Sequence, residues 1–171
     1  MSYSLWLENK SDGRICERKE PEVDLGTLLC VGGSDLMEVN ITYNYGKYYY
    51  EVEGFEKEGI RRIYGMTGKE SLPYLDMLCL HIRKKYYNRD KKRWKQTIRQ
   101  RNVATVNGEV LKKGEFLDYP EDQVQWRSID YICDEGCTSD YWQSSALNAF
   151  NAIQALIEMA KECPDGIWNG D

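Results

Sequence analysis

Ser144-Ser145-Ala146-Leu147-Asn148-Ala149-Phe150-Asn151-Ala152-Ile153-Gln154-Ala155-Leu156-Ile157-Glu158-Met159-Ala160-Lys161-Glu162 is the stretch whose reading decides the fold. Ala146, Ala149, Phe150, Ile153, Leu156, Ile157 and Ala160 recur at i, i+3, i+4, i+7 and form one apolar stripe. Cys163-Pro164-Asp165-Gly166 stops it. An amphipathic helix has to bury its stripe, at about 25 cal/mol per Å² of apolar area removed from water. A small antiparallel sheet supplies the opposing face, so the sequence predicts an α+β fold.

The sheet is assembled from short segments. Ser4–Glu8 reads as a strand, Asn9–Gly13 as a turn and Arg14–Glu17 as the return strand, with Asp12-Gly13 the hairpin signal. Pro21 breaks the chain, and Gly32-Gly33-Ser34-Asp35 reads as a further turn. Leu36–Tyr45 alternates as a strand does. Lys47–Val52 pairs with it across Gly46 or runs as an extended loop. The hairpin reading sets Tyr43, Tyr45, Tyr48 and Tyr50 on one register and Tyr49 on the other. A second helix is expected from a Ser71 cap with Pro73 in its first turn, carrying Leu72, Leu75, Leu78, Cys79, Ile82 and Tyr86. Val103–Val110 reads as a compact hairpin around Asn107-Gly108. The whole is read as a single domain, 1–171, two helices packing a small antiparallel sheet, with 88–137 a basic helix/hairpin insertion.

Charge is unevenly distributed. Arg83–Arg101 holds ten Lys/Arg against the single acid Asp90, a net of +9 that leaves −14 for the rest of a chain of formal charge −5. Basic residues around Trp94 can grip phosphates, but the acidic remainder argues against nucleic acid as the partner. Met1–Trp6 has neither a basic nor an apolar signal region, and no apolar run approaches the roughly 18 residues of a membrane span. A cytoplasmic protein follows as the expectation, with its six cysteines reduced. None form Cys-x-x-Cys, and His81 is the only histidine, so the cysteines read as small buried hydrophobes and not as metal ligands. No nucleophile–base–orienter set is present, and no cofactor or catalytic residue is expected.

Asn40–Ser71 is the expected recognition surface. Amides and guanidinium groups are costly to bury unpaired, whereas tyrosine and arginine serve binding surfaces well. The candidate ligand-binding residues are Asn40, Tyr43, Asn44, Tyr45, Tyr48, Arg61, Arg62, Tyr64 and Lys69. Gly65-Met66-Thr67-Gly68-Lys69-Glu70-Ser71 fails as a phosphate loop, with Ile63 and Glu70 where glycine and Ser/Thr are required. A glycine-backed helix N-terminus beside Lys69 would still favour an anion.

Asn-Ile-Thr-Tyr-Asn-Tyr (40–45), Gly-Ile-Arg with Ile-Tyr-Gly (59–65), Tyr141-Trp142, Asn148-Ala149 and Pro-Asp-Gly-Ile-Trp-x-Gly-Asp (164–171) together resemble a family of small phage- and prophage-encoded proteins. The resemblance covers 1–87 and 138–171. It implies a phage gene product acting in the bacterial host cytoplasm and supplies no catalytic residues. The resulting expectation is a non-enzymatic counter-defence protein, homo-oligomeric, that sequesters a nucleotide-like immune signal. Tyr43, Tyr45 and Tyr48 would stack on a base, Asn40 and Asn44 would bond its edge, and Arg61, Arg62 and Lys69 would hold phosphate. The alternative is a protein–protein inhibitor that covers a host defence protein with its acidic, tyrosine-rich surface.

Overall fold

The computed structural model describes residues 2–18 and 35–171, and the expected break at Pro21 and most of the turn at 32–35 lie outside them. In chain order the elements are β1 (Ser2–Glu8), β2 (Glu38–Thr42), a 3-10 turn (Tyr43–Tyr45), α1 (Gly46–Tyr50), a second 3-10 turn (Gly59–Ile63), α2 (Gly68–Tyr86), β3 (Tyr87–Asn88), β4 (Arg93–Trp94), β5 (Gln96–Val106), β6 (Glu109–Val110), β7 (Gln125–Asp134), α3 (Ala146–Glu162) and β8 (Ile167–Gly170). Helices and antiparallel strands make this an α+β protein. The chain divides into two compact units, a body of 1–95 with 135–171 and a second unit of 96–134.

In the body, β1 is the central strand of an antiparallel sheet ordered β2-β1-β8. Strand residues alternate between faces, and the register pairs Tyr3 with Ile41, Leu5 with Val39 and Leu7 with Trp168. All six are buried, in one core cluster with the apolar faces of α2 and α3. The expected return strand after Gly13 is reduced to single bridges, Glu8 with Ile15 and Glu17 with Leu36.

Helix α3 begins at Ala146, where its apolar stripe begins, because Ser145 caps it: Ser145 Oγ accepts from the Asn148 amide at 3.2 Å. Helix α2 begins earlier than expected. Thr67 is its cap, not Ser71, and Thr67-Gly68-Lys69-Glu70 forms a reciprocal capping box. Ser71 is instead fully buried, donating to the Gly68 carbonyl at 2.7 Å and accepting from Trp168 Nε1 at 2.8 Å. Pro73 therefore lies inside the helix rather than in its first turn.

The start of α2 lies against the end of α3. A Cβ on Gly68 would stand 2.5 Å from the Cys163 carbonyl oxygen and 2.8 Å from that of Ala160, both backbone atoms that cannot rotate away. Gly68→Ala is expected to cost about 2–3 kcal/mol by overpacking, read as a lowered urea midpoint at unchanged slope.

The basic run does not form a helix of its own. Its first residues finish α2, where Arg83, Lys84 and Lys85 complement the helix C-terminus. Next come the short β3–β4 hairpin, in which the Tyr87 and Trp94 rings pack across the pair, and the first residues of β5. The second unit is a long antiparallel pair of β5 and β7, with β6 on the other edge of β5. Its β5–β6 turn is the expected one: Asn107 (φ +51°) and Gly108 (φ +85°) both take the left-handed conformation that a two-residue hairpin turn requires. The only helical turns in this unit are the short 3-10 turns Glu115–Asp118 and Glu121–Gln123, so the helix expected within 88–137 is absent.

Candidate functional site

The tyrosine-rich segment is helical, not a hairpin, which redistributes the expected recognition residues. Thr42 Oγ1 accepts from the Asn44 amide at 3.3 Å and turns the chain out of β2. From there Tyr45, Tyr48, Tyr49 and Val52 follow the i, i+3, i+4, i+7 spacing of a helix and are all buried. The Tyr45 hydroxyl donates to the Tyr141 carbonyl, Tyr48 to Glu135 Oε2 at 2.7 Å and Tyr49 to the Ala149 carbonyl at 3.3 Å. Burial raises the phenols of Tyr45 and Tyr49 above their ordinary value, so they stay protonated as donors. Tyr45 and Tyr48 thus satisfy the core and offer no face to a ligand.

The two asparagines stitch segments together. Asn40 Nδ2 donates to Ser2 Oγ at 2.8 Å, and its carbonyl accepts from the Tyr141 hydroxyl at 2.5 Å. Asn44 Nδ2 donates to the Trp142 carbonyl at 2.7 Å, and its own carbonyl accepts from Ser144 Oγ at 2.7 Å. The 40–45 motif is therefore a brace: the Asn40 side-chain amide is spent on β1, and its backbone carbonyl and the Asn44 amide on the 141–144 loop.

The expected anion site at the start of α2 is closed. The Gly68 amide donates to the Gly166 carbonyl and the Lys69 amide to that of Pro164, both at 2.8 Å. The Thr67 amide bonds Glu70 Oε2 at 2.9 Å, and the Glu70 amide bonds Thr67 Oγ1 at 3.2 Å. With these first-turn donors taken, that helix end has none of them to offer a phosphate. Lys69 is exposed and stands outside the group described next.

Tyr43, Arg61 and Tyr64 do come together. Arg61 donates from Nη2 to the Tyr43 hydroxyl and from Nε to the Asp171 carbonyl, each at 3.2 Å. Its guanidinium lies 5.2 Å from the Tyr3 ring centre. The Tyr64 hydroxyl reaches the same Asp171 carbonyl at 3.4 Å. Tyr3 stacks obliquely on Tyr43, ring centres 4.0 Å apart, and its hydroxyl lies 3.1 Å from that of Tyr50. Burial raises the phenols of Tyr3 and Tyr64, against a lowering by Arg61, so both remain neutral at physiological pH.

The 3-10 turn Gly59–Ile63 makes this arrangement. It buries Ile60 and Ile63 and turns the intervening Arg61 out to solvent. Gly59 takes a left-handed φ of +55°, and a Cβ there would stand 2.9 Å from the Tyr50 ring. The result is an open hollow of about 410 Å³ lined by Tyr50, Lys57, Glu58, Arg61, Arg62 and Tyr64. A neighbouring hollow of about 320 Å³ shares Lys57, Glu58 and Arg62 with it. Arg62 lies over Phe55 and Tyr74, 5.9 and 5.3 Å from their ring centres, and its Nε is buried without a hydrogen-bond partner.

Sequence reading found Arg61, Arg62 and Tyr64 but missed Tyr50, Lys57 and Glu58, which carry no motif. It also missed Asp171, although that residue ends the Pro-Asp-Gly-Ile-Trp-x-Gly-Asp run. His81 is half-buried on α2, and its Nε2 has no hydrogen-bond partner. Among the described residues no three His, Cys, Asp or Glu side chains stand close enough to hold a metal ion, and no helix is long and apolar enough to cross a membrane. Compared with known proteins, the chain matches no family model, no curated protein and no solved structure.

Proposed function

We propose that this protein binds and sequesters a phosphate-bearing, nucleotide-like molecule at the Arg61–Tyr64 hollow, without chemically altering it. The observation that carries the reading is the hollow itself: three cationic side chains, Lys57, Arg61 and Arg62, around a cavity with phenol rings, Tyr50 and Tyr64, in its wall. Guanidinium groups grip phosphate with paired, charge-assisted hydrogen bonds. Aromatic walls accept a planar base by stacking, and Glu58 offers an acceptor to a sugar hydroxyl. A volume of about 410 Å³ suits a small ligand.

The resemblance to phage and prophage proteins supplies the setting. A phage product that captures a nucleotide-like signal in the host cytoplasm would silence the immune response that the signal triggers. The alternative, a protein–protein inhibitor with tyrosine anchors, has fewer anchors to call on, since Tyr45, Tyr48 and Tyr49 are fully or almost fully buried.

The test is to incubate the protein with cyclic nucleotides and ADP-ribose derivatives, follow its melting temperature, then heat-denature it and analyse the released ligand. Capture predicts a rise in melting temperature and recovery of intact ligand. Arg61→Ala is expected to weaken binding by about 10- to 100-fold, the worth of one charge-assisted contact. The melting temperature of the free variant should stay within about 2 °C, because Arg61 is exposed. A chemically altered product would make the protein an enzyme, and no response to any member of the panel would discard the proposal.

A further inference from the structure

Two cysteines far apart in the chain meet beside the last strand of the sheet. Cys163 Sγ lies 2.7 Å from Cys16 Sγ across a sequence separation of 147 residues, and both are free thiols. Their meeting point is built. Cys16 is held on both sides by backbone bonds: its amide donates to the Leu7 carbonyl at 2.7 Å, and its carbonyl accepts from the Met37 amide at 2.8 Å. Cys163 is the residue that ends α3, and its amide donates to the Met159 carbonyl at 2.9 Å. Gly166 leaves room for the pair: a Cβ there would stand 2.7 Å from Cys163 Sγ and 3.1 Å from Cys16 Sγ.

We infer that Cys16 and Cys163 form a cross-linking site, oxidised to a disulfide by small oxidised disulfides such as glutathione disulfide. Access assigns the roles. Cys163 is half-buried and can meet a soluble oxidant, whereas Cys16 is 3% exposed and cannot. Burial and the neighbouring Cys163 push the Cys16 thiol up to about 12, which keeps it protonated until its partner has reacted. Its S–H faces Asn9 Oδ1 at 3.6 Å.

Cys163, as thiolate, attacks one sulfur of glutathione disulfide. A mixed disulfide forms at Cys163 and one glutathione leaves as thiolate. Cys16 then loses its proton and attacks the Cys163 sulfur, expelling the second glutathione. Two protein thiols are oxidised by two electrons, one glutathione disulfide is reduced to two glutathiones, and the two protons pass to the departing thiolates and solvent. The bond staples the segment beside β1 to the chain immediately ahead of β8.

The test is to treat the full chain with glutathione disulfide, block remaining thiols under denaturing conditions and map peptides without reduction. The expected result is a linked pair of peptides containing Cys16 and Cys163, two fewer blocked thiols and a melting temperature higher by about 10 °C. Cys163→Ser and Cys16→Ser should each abolish both the link and the temperature shift while retaining the fold by circular dichroism. Recovery of both cysteines in blocked form, or a glutathione adduct at Cys163 that never resolves onto Cys16, would overturn the inference.

Discussion

Replacing Glu135 with alanine is expected to destabilise the body by about 3–4 kcal/mol, a large share of the roughly 5–15 kcal/mol that holds a domain folded. Glu135 is fully buried. Its carboxylate accepts from the fully buried Tyr48 hydroxyl at 2.7 Å and from the Ala146 amide, the first of α3, at 2.9 Å. Its backbone also ties both ways, to the Lys95 carbonyl and from the Leu147 amide. Alanine would take the Glu135 carboxylate away from a buried phenol and from the first amide of α3, which is the expensive way to lose a hydrogen bond. Urea unfolding of Glu135→Ala, Tyr48→Phe and the double variant measures this. Tyr48→Phe should cost about 1–2 kcal/mol in the native background and less beside alanine, where the hydroxyl has already lost the Glu135 carboxylate. Additive costs would show that the two side chains do not act on one another.

Trp168→Ala is expected to cost about 3–5 kcal/mol, the range for truncating a large buried aromatic. Trp168 is 1% exposed, sits opposite Leu7 in the sheet, and donates from Nε1 to Ser71 Oγ at 2.8 Å. Its backbone bonds the Met66 carbonyl and the Gly65 amide, each at 2.9 Å, so one residue ties β8 to both the turn before α2 and the helix itself. The cavity left by alanine would loosen the strand that ends beside Asp171, the acceptor for Arg61 and Tyr64. Ligand binding at the hollow should therefore weaken together with stability, unlike Arg61→Ala, which separates the two. An unfolding free energy from urea titration of Trp168→Ala within about 0.5 kcal/mol of native would contradict the placement of this residue in the core.

The parts of the fold legible in the sequence are those with a long, unbroken period or a strong turn signal. The α3 stripe, the strand at β1 and the Asn107-Gly108 turn each satisfy one local rule, and each stands where that rule puts it. The tyrosine segment satisfies two rules at once, and composition points to the wrong one. Tyr43, Tyr45, Tyr48 and Tyr50 suit an alternating strand pair, because aromatic residues favour strands. Yet Tyr45, Tyr48, Tyr49 and Val52 also fit a helical face, and the cap at Thr42 selects it. The same segment explains the mistaken site residues. A phenol or an amide is polar enough to suggest a surface, but a buried one is equally content when a carbonyl or carboxylate waits for it. The partners of Tyr45 and Tyr48 lie 96 and 87 residues away in the chain, beyond the reach of any local pattern.

The sequence by itself determined the α+β class, the two packing helices, the main hairpin turn and the pair of arginines at 61 and 62, because periodicity and turn chemistry act over a few neighbouring residues. Only the tertiary structure decided which polar groups face water. It spent the amides of Asn40 and Asn44 on Ser2 and the 141–144 loop and closed the α2 N-terminus with the 164–166 turn. It also brought Tyr50, Lys57 and Glu58 beside Arg61, and set Cys16 against Cys163. Most of those outcomes depend on a partner distant in the chain, and a hydrogen bond or a contact has no local signature until the chain has closed on itself.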